Sequence, residues 1–211
     1  MRREDVIADA AITLLVERGM RGLTHRAVDE QAGLPLGSTS NLARTRAALL
    51  ALTLARLTDL EERQFALFPA GETRTPVPLP DGPERLADLA AHILHVQLTK
   101  GRHTTVARYE LALEATRRPE LREVYDKAGA RFRDLATAVL AAAGSPDPAR
   151  HGHRLVAYAE GLLFDAIAGA GVTPDLDDLR TAMREILHGM LNSRKIPPEQ
   201  PQPPRPHAAT P

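Results

Sequence analysis

The chain has 211 residues, 27 basic and 27 acidic side chains, and no cysteine. That composition excludes disulfides and thiolate metal sites. It also excludes a uniformly basic coat, so any contact with nucleic acid must come from a local patch. Aromatic residues make up only 3% and Trp is absent, so the core is expected to be Leu, Ala, Val and Ile carried on helices.

The first predicted helix runs from Arg3 to Arg18, where Val6/Ile7, Ala10/Ala11 and Leu14/Leu15 recur every four residues and form one apolar stripe. Thr24 is placed to cap a second helix, His25 to Ala32, because its hydroxyl can accept from first-turn amides. Gly33 stands where a helix end needs a left-handed residue. Leu34 is an apolar plug, and Pro35 is expected to open a third short helix, Leu36 to Ala43. That helix carries Gly37, Ser38, Thr39, Ser40 and Asn41 and no acid. Arg44 and Arg46 flank Thr45, a second N-cap candidate for a helix from Arg46 to about Phe65. Two short helices joined by a glycine turn, the second one small, uncharged and bordered by arginines, have the pattern of a helix-turn-helix.

Beyond the fourth helix, prolines punctuate the chain. Five of the 17 lie between Pro69 and Pro83 and seven between Pro197 and Pro211. Phe68–Gly82 is therefore expected to be a loop or linker, and Ile196–Pro211 a disordered proline-rich tail. Between them, five further helices are predicted: Pro83–Lys100, Arg102–Arg117, Pro119–Ala143, Pro148–Ala170 and Pro174–Asn192. No segment alternates with a two-residue period, so no sheet is expected. The last two helices carry broad apolar faces: Leu155, Val156, Ala159, Leu162, Leu163, Ala166 and Ile167 on one, and Leu176, Leu179, Met183, Ile186, Leu187 and Met190 on the other. Such faces are expected to cover each other and a second copy of the chain. No uncharged stretch approaches the roughly 18 residues a membrane span needs, and the acidic N-terminus does not read as a signal peptide. A cytoplasmic protein without membrane contact is expected.

The first quarter of the chain resembles the TetR family of transcriptional regulators. The resemblance rests on Glu17-Arg18-Gly19, Gly22-Leu23-Thr24, Ala27-Val28, Ala32-Gly33-Leu34, Gly37-Ser38-Thr39, and Thr45-Arg46 through Ala48-Leu49-Leu50, in the family's order and spacing. The aromatic residues usual late in the family's recognition helix are replaced by Ser40-Asn41-Leu42-Ala43. The resemblance implies an all-α protein of about nine helices, with an N-terminal three-helix DNA-binding domain (1–46), a helical ligand-binding and dimerisation domain (47–195) and a tail (196–211). It also implies a homodimer joined through the last two helices, a double-stranded DNA partner with a palindromic operator, and repression relieved by a small-molecule effector.

Base-edge contacts are assigned to Ser38, Ser40 and Asn41, since Asn pairs bidentately with adenine and serine is permissive. Leu36 is a candidate for a thymine methyl or a core plug. Thr24, His25, Arg26, Arg44, Thr45 and Arg46 are candidates for phosphates, which position without specifying. Gly37 is explained either by close approach to phosphates or by packing against the first helix. The search area for an effector in the body is His92, His95, His103, Arg108, Tyr109, Glu110, Glu114, Tyr125, Tyr158, Phe164 and Asp165, where an apolar interior meets polar groups. Within it, Arg108, Glu110, Glu114 and Arg117 are expected to include an ordinary helical ion pair, and Asp165 a satisfied structural hydrogen bond.

An enzyme is the rival reading. Glu185-Ile186-Leu187-His188 matches the Glu-x-x-His element of di-iron bundles, but those sites need two such elements and two more carboxylates, and only one element is present. No catalytic triad order or nucleotide fingerprint appears. A metal sensor built on His92, His95 and His103 lacks a correctly spaced further ligand. No catalytic residue, metal or cofactor is therefore expected, and the alternative that stands is a helical dimeric adaptor or metal-dependent enzyme whose head no longer binds DNA.

Overall fold

The computed structural model describes residues 2–65 and 82–193, without the side chains of residues 64 and 65. The expected linker and proline-rich tail therefore lie outside the described residues, apart from Gly82. Among the described residues there are nine helices and no strand: α1 (Arg3–Gly22), α2 (His25–Gln31), α3 (Ser38–Leu42), α4 (Arg46–Phe65), α5 (Pro83–Leu98), α6 (Arg102–Ala115), α7 (Pro119–Ala142), α8 (Pro148–Ile167) and α9 (Leu176–Leu191).

Local chemistry sets the boundaries. Thr24 caps α2 by accepting from the Ala27 amide at 3.1 Å, and Thr45 does the same for α4 through Ala48. Proline occupies the first turn of α5, α7 and α8, where its missing amide costs nothing. Asp175 and Asp178 form a reciprocal capping box at the start of α9. Gly19 is non-helical inside α1, with φ of 63°, which is why the expected helix stops at Arg18 while one more turn follows. Pro35 does not open α3. That helix starts three residues later, after Gly37 adopts a left-handed φ of 90°.

Two apolar clusters hold the molecule. The first joins Ile7, Ala11, Leu14 and Leu15 of α1 to Val28, to Leu49, Leu50, Leu54 and Leu57 of α4, and to Ala107, Leu111 and Leu121 of α6 and α7. It crosses the boundary expected at residue 46, so the first helix is packed directly onto the body. The second gathers Leu86, Ala91 and Leu94 of α5, Leu140 of α7, Leu163 of α8 and Leu179, Met183 and Leu187 of α9. The apolar faces of α8 and α9 do not chiefly cover each other: α9 lies along α5 and α8 along α7, and the two touch only slightly. Gly152 makes the α7–α8 crossing close, because a Cβ there would sit 2.6 Å from Thr137 Oγ1 and 2.8 Å from its amide nitrogen.

Candidate nucleic-acid interface and effector site

The head is organised by a buried acid. Asp29 of α2 is 1% exposed and faces the start of α3. Its carboxylate accepts from the Gly37 amide at 2.7 Å, the Thr39 amide at 2.7 Å and the Thr39 hydroxyl at 2.6 Å. Burial by itself pushes this carboxyl up, and the donors from Thr39 and Gly37 reverse that and hold it below the usual carboxylate range. Helix α3 has only five residues, too few to be stable alone. Capping by Asp29 supplies acceptors for the otherwise unpaired amides of its first turn. Packing against the first helix does not explain Gly37. A Cβ there would meet nothing within 4 Å, and the left-handed backbone that aims its amide at Asp29 is what selects glycine.

The expected DNA-contact residues divide into two groups. Leu36, Ser40, Asn41 and Arg44 are exposed on or beside α3, as are Thr24, Arg26 and Thr45 on the flanking helix starts. Leu36 is 69% exposed, so it is not a core plug. Arg26 also pairs with Glu30 at 2.8 Å.

The other three are engaged inward. The Ser38 hydroxyl is buried, accepting from Arg3 Nη2 at 2.7 Å and donating to the Pro35 carbonyl. His25 Nε2 donates to the Ala43 carbonyl at 2.7 Å. Arg46 donates to the carbonyls of Leu23 and Met20 at 2.6 and 2.7 Å, tying the start of α4 to the end of α1. Asp29, Thr39 and Arg3 were not singled out from sequence. An acid ten residues from the amide it caps leaves no periodic signal.

In the body, the structure brings together Arg108 and Tyr109 of α6 and Tyr125 of α7 with two residues the sequence did not nominate, Glu61 of α4 and Glu160 of α8. Arg108 lies 2.9 Å from each carboxylate, through Nε to Glu61 and through Nη1 to Glu160. Its guanidinium carbon stands 5.0 Å from the centre of the Tyr109 ring, and Tyr109 meets Phe164 edge to face at 5.3 Å. The Nε–Glu61 contact is poorly aligned: neither Arg108 Nε nor Glu61 Oε1 makes a hydrogen bond, although both are buried. Burial raises the Glu61 carboxyl to about 7, with Arg108 opposing and Glu160 adding to the rise. Burial also raises the phenols of Tyr109 and Tyr125.

The rest of the search area is dispersed. The expected helical ion pair forms between Glu114 and Arg117 at 3.2 Å, and Arg118 joins it at 2.5 Å, contacts that keep the Glu114 carboxyl low. Arg108 pairs with neither Glu110 nor Glu114. His92, His103 and Asp165 are exposed, and Glu110 and Tyr158 are half-buried. Among the described residues Asp165 lacks the expected structural hydrogen bond, and it lies against Gly169 and Gly171. His95 is half-buried, with Nδ1 buried and without a partner. Among the described residues no three His, Cys, Asp or Glu side chains are grouped to hold a metal ion.

A family model for the tetracyclin repressor-like C-terminal domain matches residues 81–193. The chain belongs to the TetR family. This is a family of transcriptional regulators, not enzymes. No curated protein sequence matches the chain. Among solved structures, a TetR-family member from Streptomyces coelicolor A3 is 29% identical with a TM-score of 0.70, covering 88% of this chain and 98% of its own. The multidrug binding protein EbrR in complex with ethidium is 27% identical with a TM-score of 0.68, covering 91% and 100%. A transcriptional regulator from Rhodococcus sp. Rha1 shares the fold at 23% identity and a TM-score of 0.75, covering 90% and 96%. Among the described residues no helix is long and apolar enough to cross a membrane.

Proposed function

We propose that the protein represses transcription as a homodimer that occupies a palindromic operator and leaves it when a small organic molecule enters the body. The observation that carries the reading is the α3 edge. It presents Leu36, Ser40, Asn41 and Arg44 to solvent, while Asp29, the acid beside it, is turned inward and consumed by α3 itself. An acid-free edge suits the major groove, with Asn41 and Ser40 for base edges, Leu36 for a thymine methyl and Arg44 for phosphate. Thr24, Arg26 and Thr45 flank it as further phosphate contacts. Ser38, His25 and Arg46 support the edge from inside. The effector part of the reading draws on EbrR, which has been solved with ethidium, with proflavin and with imidazole.

Support for the dimer comes from α8 and α9. Gly161 and Gly189 are exposed, and a Cβ at either meets nothing within 4 Å. Glycine inside a helix costs about 1 kcal/mol relative to alanine, and nothing in the described part of this chain explains that cost. A second copy seated on these helices accounts for both positions. Two heads would then lie about 34 Å apart, one turn of DNA.

Gel shifts with the DNA flanking its own gene test the reading. Asn41→Ala is expected to weaken binding and relax preference at one base pair by about 1–3 kcal/mol. Arg44→Ala is expected to weaken all sequences alike and lower the salt dependence by about one unit of slope. Wild-type protein that shows no sequence preference at moderate salt overturns the regulator and leaves the adaptor alternative.

A further inference from the structure

The cluster around Arg108 is out of charge balance. Two carboxylates, Glu61 and Glu160, share one guanidinium. Glu160 is the better served of the two. It forms an ion pair with Arg108 Nη1 at 2.9 Å, accepts from the Tyr109 hydroxyl at 3.5 Å, and its side chain is 41% exposed, so water screens it. Glu61 is 5% exposed, and its Oε1 makes no hydrogen bond. A buried carboxylate in that state is neutralised either by a proton or by a second cation. Tyr125 acts on the same carboxylate, and Arg108 lies over the face of Tyr109, whose ring meets Phe164 edge to face; ring faces attract a cation through their quadrupoles.

We propose that Glu61 is the anchor for an organic cation, with the charged group of the ligand taking over the contact that Arg108 Nε makes badly and its apolar part lying against Tyr109 and Phe164. Arg108 keeps Glu160. The effector class is therefore a monovalent aromatic or alkylammonium cation, and anionic ligands are rejected by the excess carboxylate. The inference rests on the reading of the body as an effector site, and it names what that site accepts.

Because burial leaves Glu61 partly protonated near neutral pH, binding releases a proton. The groups acting on it are Arg108 from α6, Tyr125 from α7 and Glu160 from α8, with Tyr109 beside Arg108 and Glu160. The two phenols are pushed up and Arg108 stays charged, so none of these three takes up or releases a proton on the acid side.

The test is a fluorescence titration of the full chain with ethidium, and with anilinonaphthalene sulfonate as the anionic counterpart. Wild-type protein is expected to bind ethidium saturably, with affinity rising by up to about tenfold per pH unit below pH 7 and levelling above it. Glu61→Gln keeps the shape of the side chain, and its fold is checked by circular dichroism. This variant is expected to bind ethidium at least about tenfold more weakly, as for loss of one buried charge pair, and to lose the pH dependence. Equal affinity of wild type and Glu61→Gln, stronger binding of the anionic dye, or no saturable ethidium binding overturns the proposal. The titration contains no DNA. A failure to find sequence-specific DNA binding therefore counts against the regulator reading without touching this result, and a failed ethidium titration leaves the DNA reading standing.

Discussion

Two buried acids show how differently this protein treats charge in its head and in its body. Asp29 is closed: three donors from Thr39 and Gly37 satisfy it, and its carboxyl is held low. Glu61 is open, with a misaligned guanidinium beside it, an orphaned oxygen and a carboxyl raised to about 7. A satisfied buried network fixes one geometry, while an unsatisfied one costs free energy that a proton or a ligand can recover. The first arrangement supports α3, the helix proposed to contact DNA. The second lies at the proposed effector site and sits on α4, the helix whose first residue, Arg46, holds the end of α1.

Removing the closed acid should cost most. Asp29→Ala strands three donors at the start of α3 and is expected to destabilise the protein by about 3–5 kcal/mol, read as a lower urea midpoint. Asp29→Asn, which keeps an acceptor, should lose less than half of that. Since the Asp29 carboxyl is depressed in the folded state, its contribution is present above the unfolded value and fades as pH falls through the folded one. If Asp29→Ala melts like wild type, the contrast between the two regions is broken.

The open acid should behave in the opposite sense. Glu61 has a raised folded-state value, so the folded protein holds more protons than the unfolded chain and stability declines as pH rises from about 4.5 toward about 7. Glu61→Gln is expected to abolish that decline and to be more stable than wild type above pH 7 by roughly 2 kcal/mol. Thermal melts across the range decide it, and a variant less stable than wild type at high pH would falsify the charge assignment.

Arg46→Ala sharpens the link between the regions. It removes two hydrogen bonds to the end of α1 and should cost about 2 kcal/mol, with DNA affinity lost in the same proportion at all sequences. The smallest expected effect is Gly161→Ala. In an isolated chain it should stabilise α8 by about 1 kcal/mol, whereas across a close interface the added methyl should weaken self-association. Sedimentation at low concentration alongside a melt separates the two terms.

The order and type of the helices could be read from sequence because their signals are local. Thr24 and Thr45 as caps, Gly33 at a helix end, proline at three helix starts and the four-residue stripe of α1 all act within a turn of their own positions. The exposed DNA-facing candidates Leu36, Ser40, Asn41 and Arg44 followed from the same reading, because an uncharged short helix bordered by arginine is a compositional feature. Ser38, Arg46 and His25 have the right chemistry for DNA, but their hydroxyl, guanidinium and ring are turned to Pro35, to Met20 and Leu23, and to Ala43. Nothing in their spacing distinguishes a side chain that reaches out from one that folds back.

What this sequence by itself determined is the helical alphabet: which segments coil, in what order, and which short helix is free of acid. Only the tertiary structure decided which charges meet. The pairing of Glu61 with Arg108 spans 47 positions and that of Arg108 with Glu160 spans 52, and Asp29 reaches ten residues along the chain to Thr39. Helix formation depends on neighbours three and four residues away, so it leaves a period in the sequence. The desolvation of a charge depends on everything that packs around it, and that sum exists only once the helices have come together.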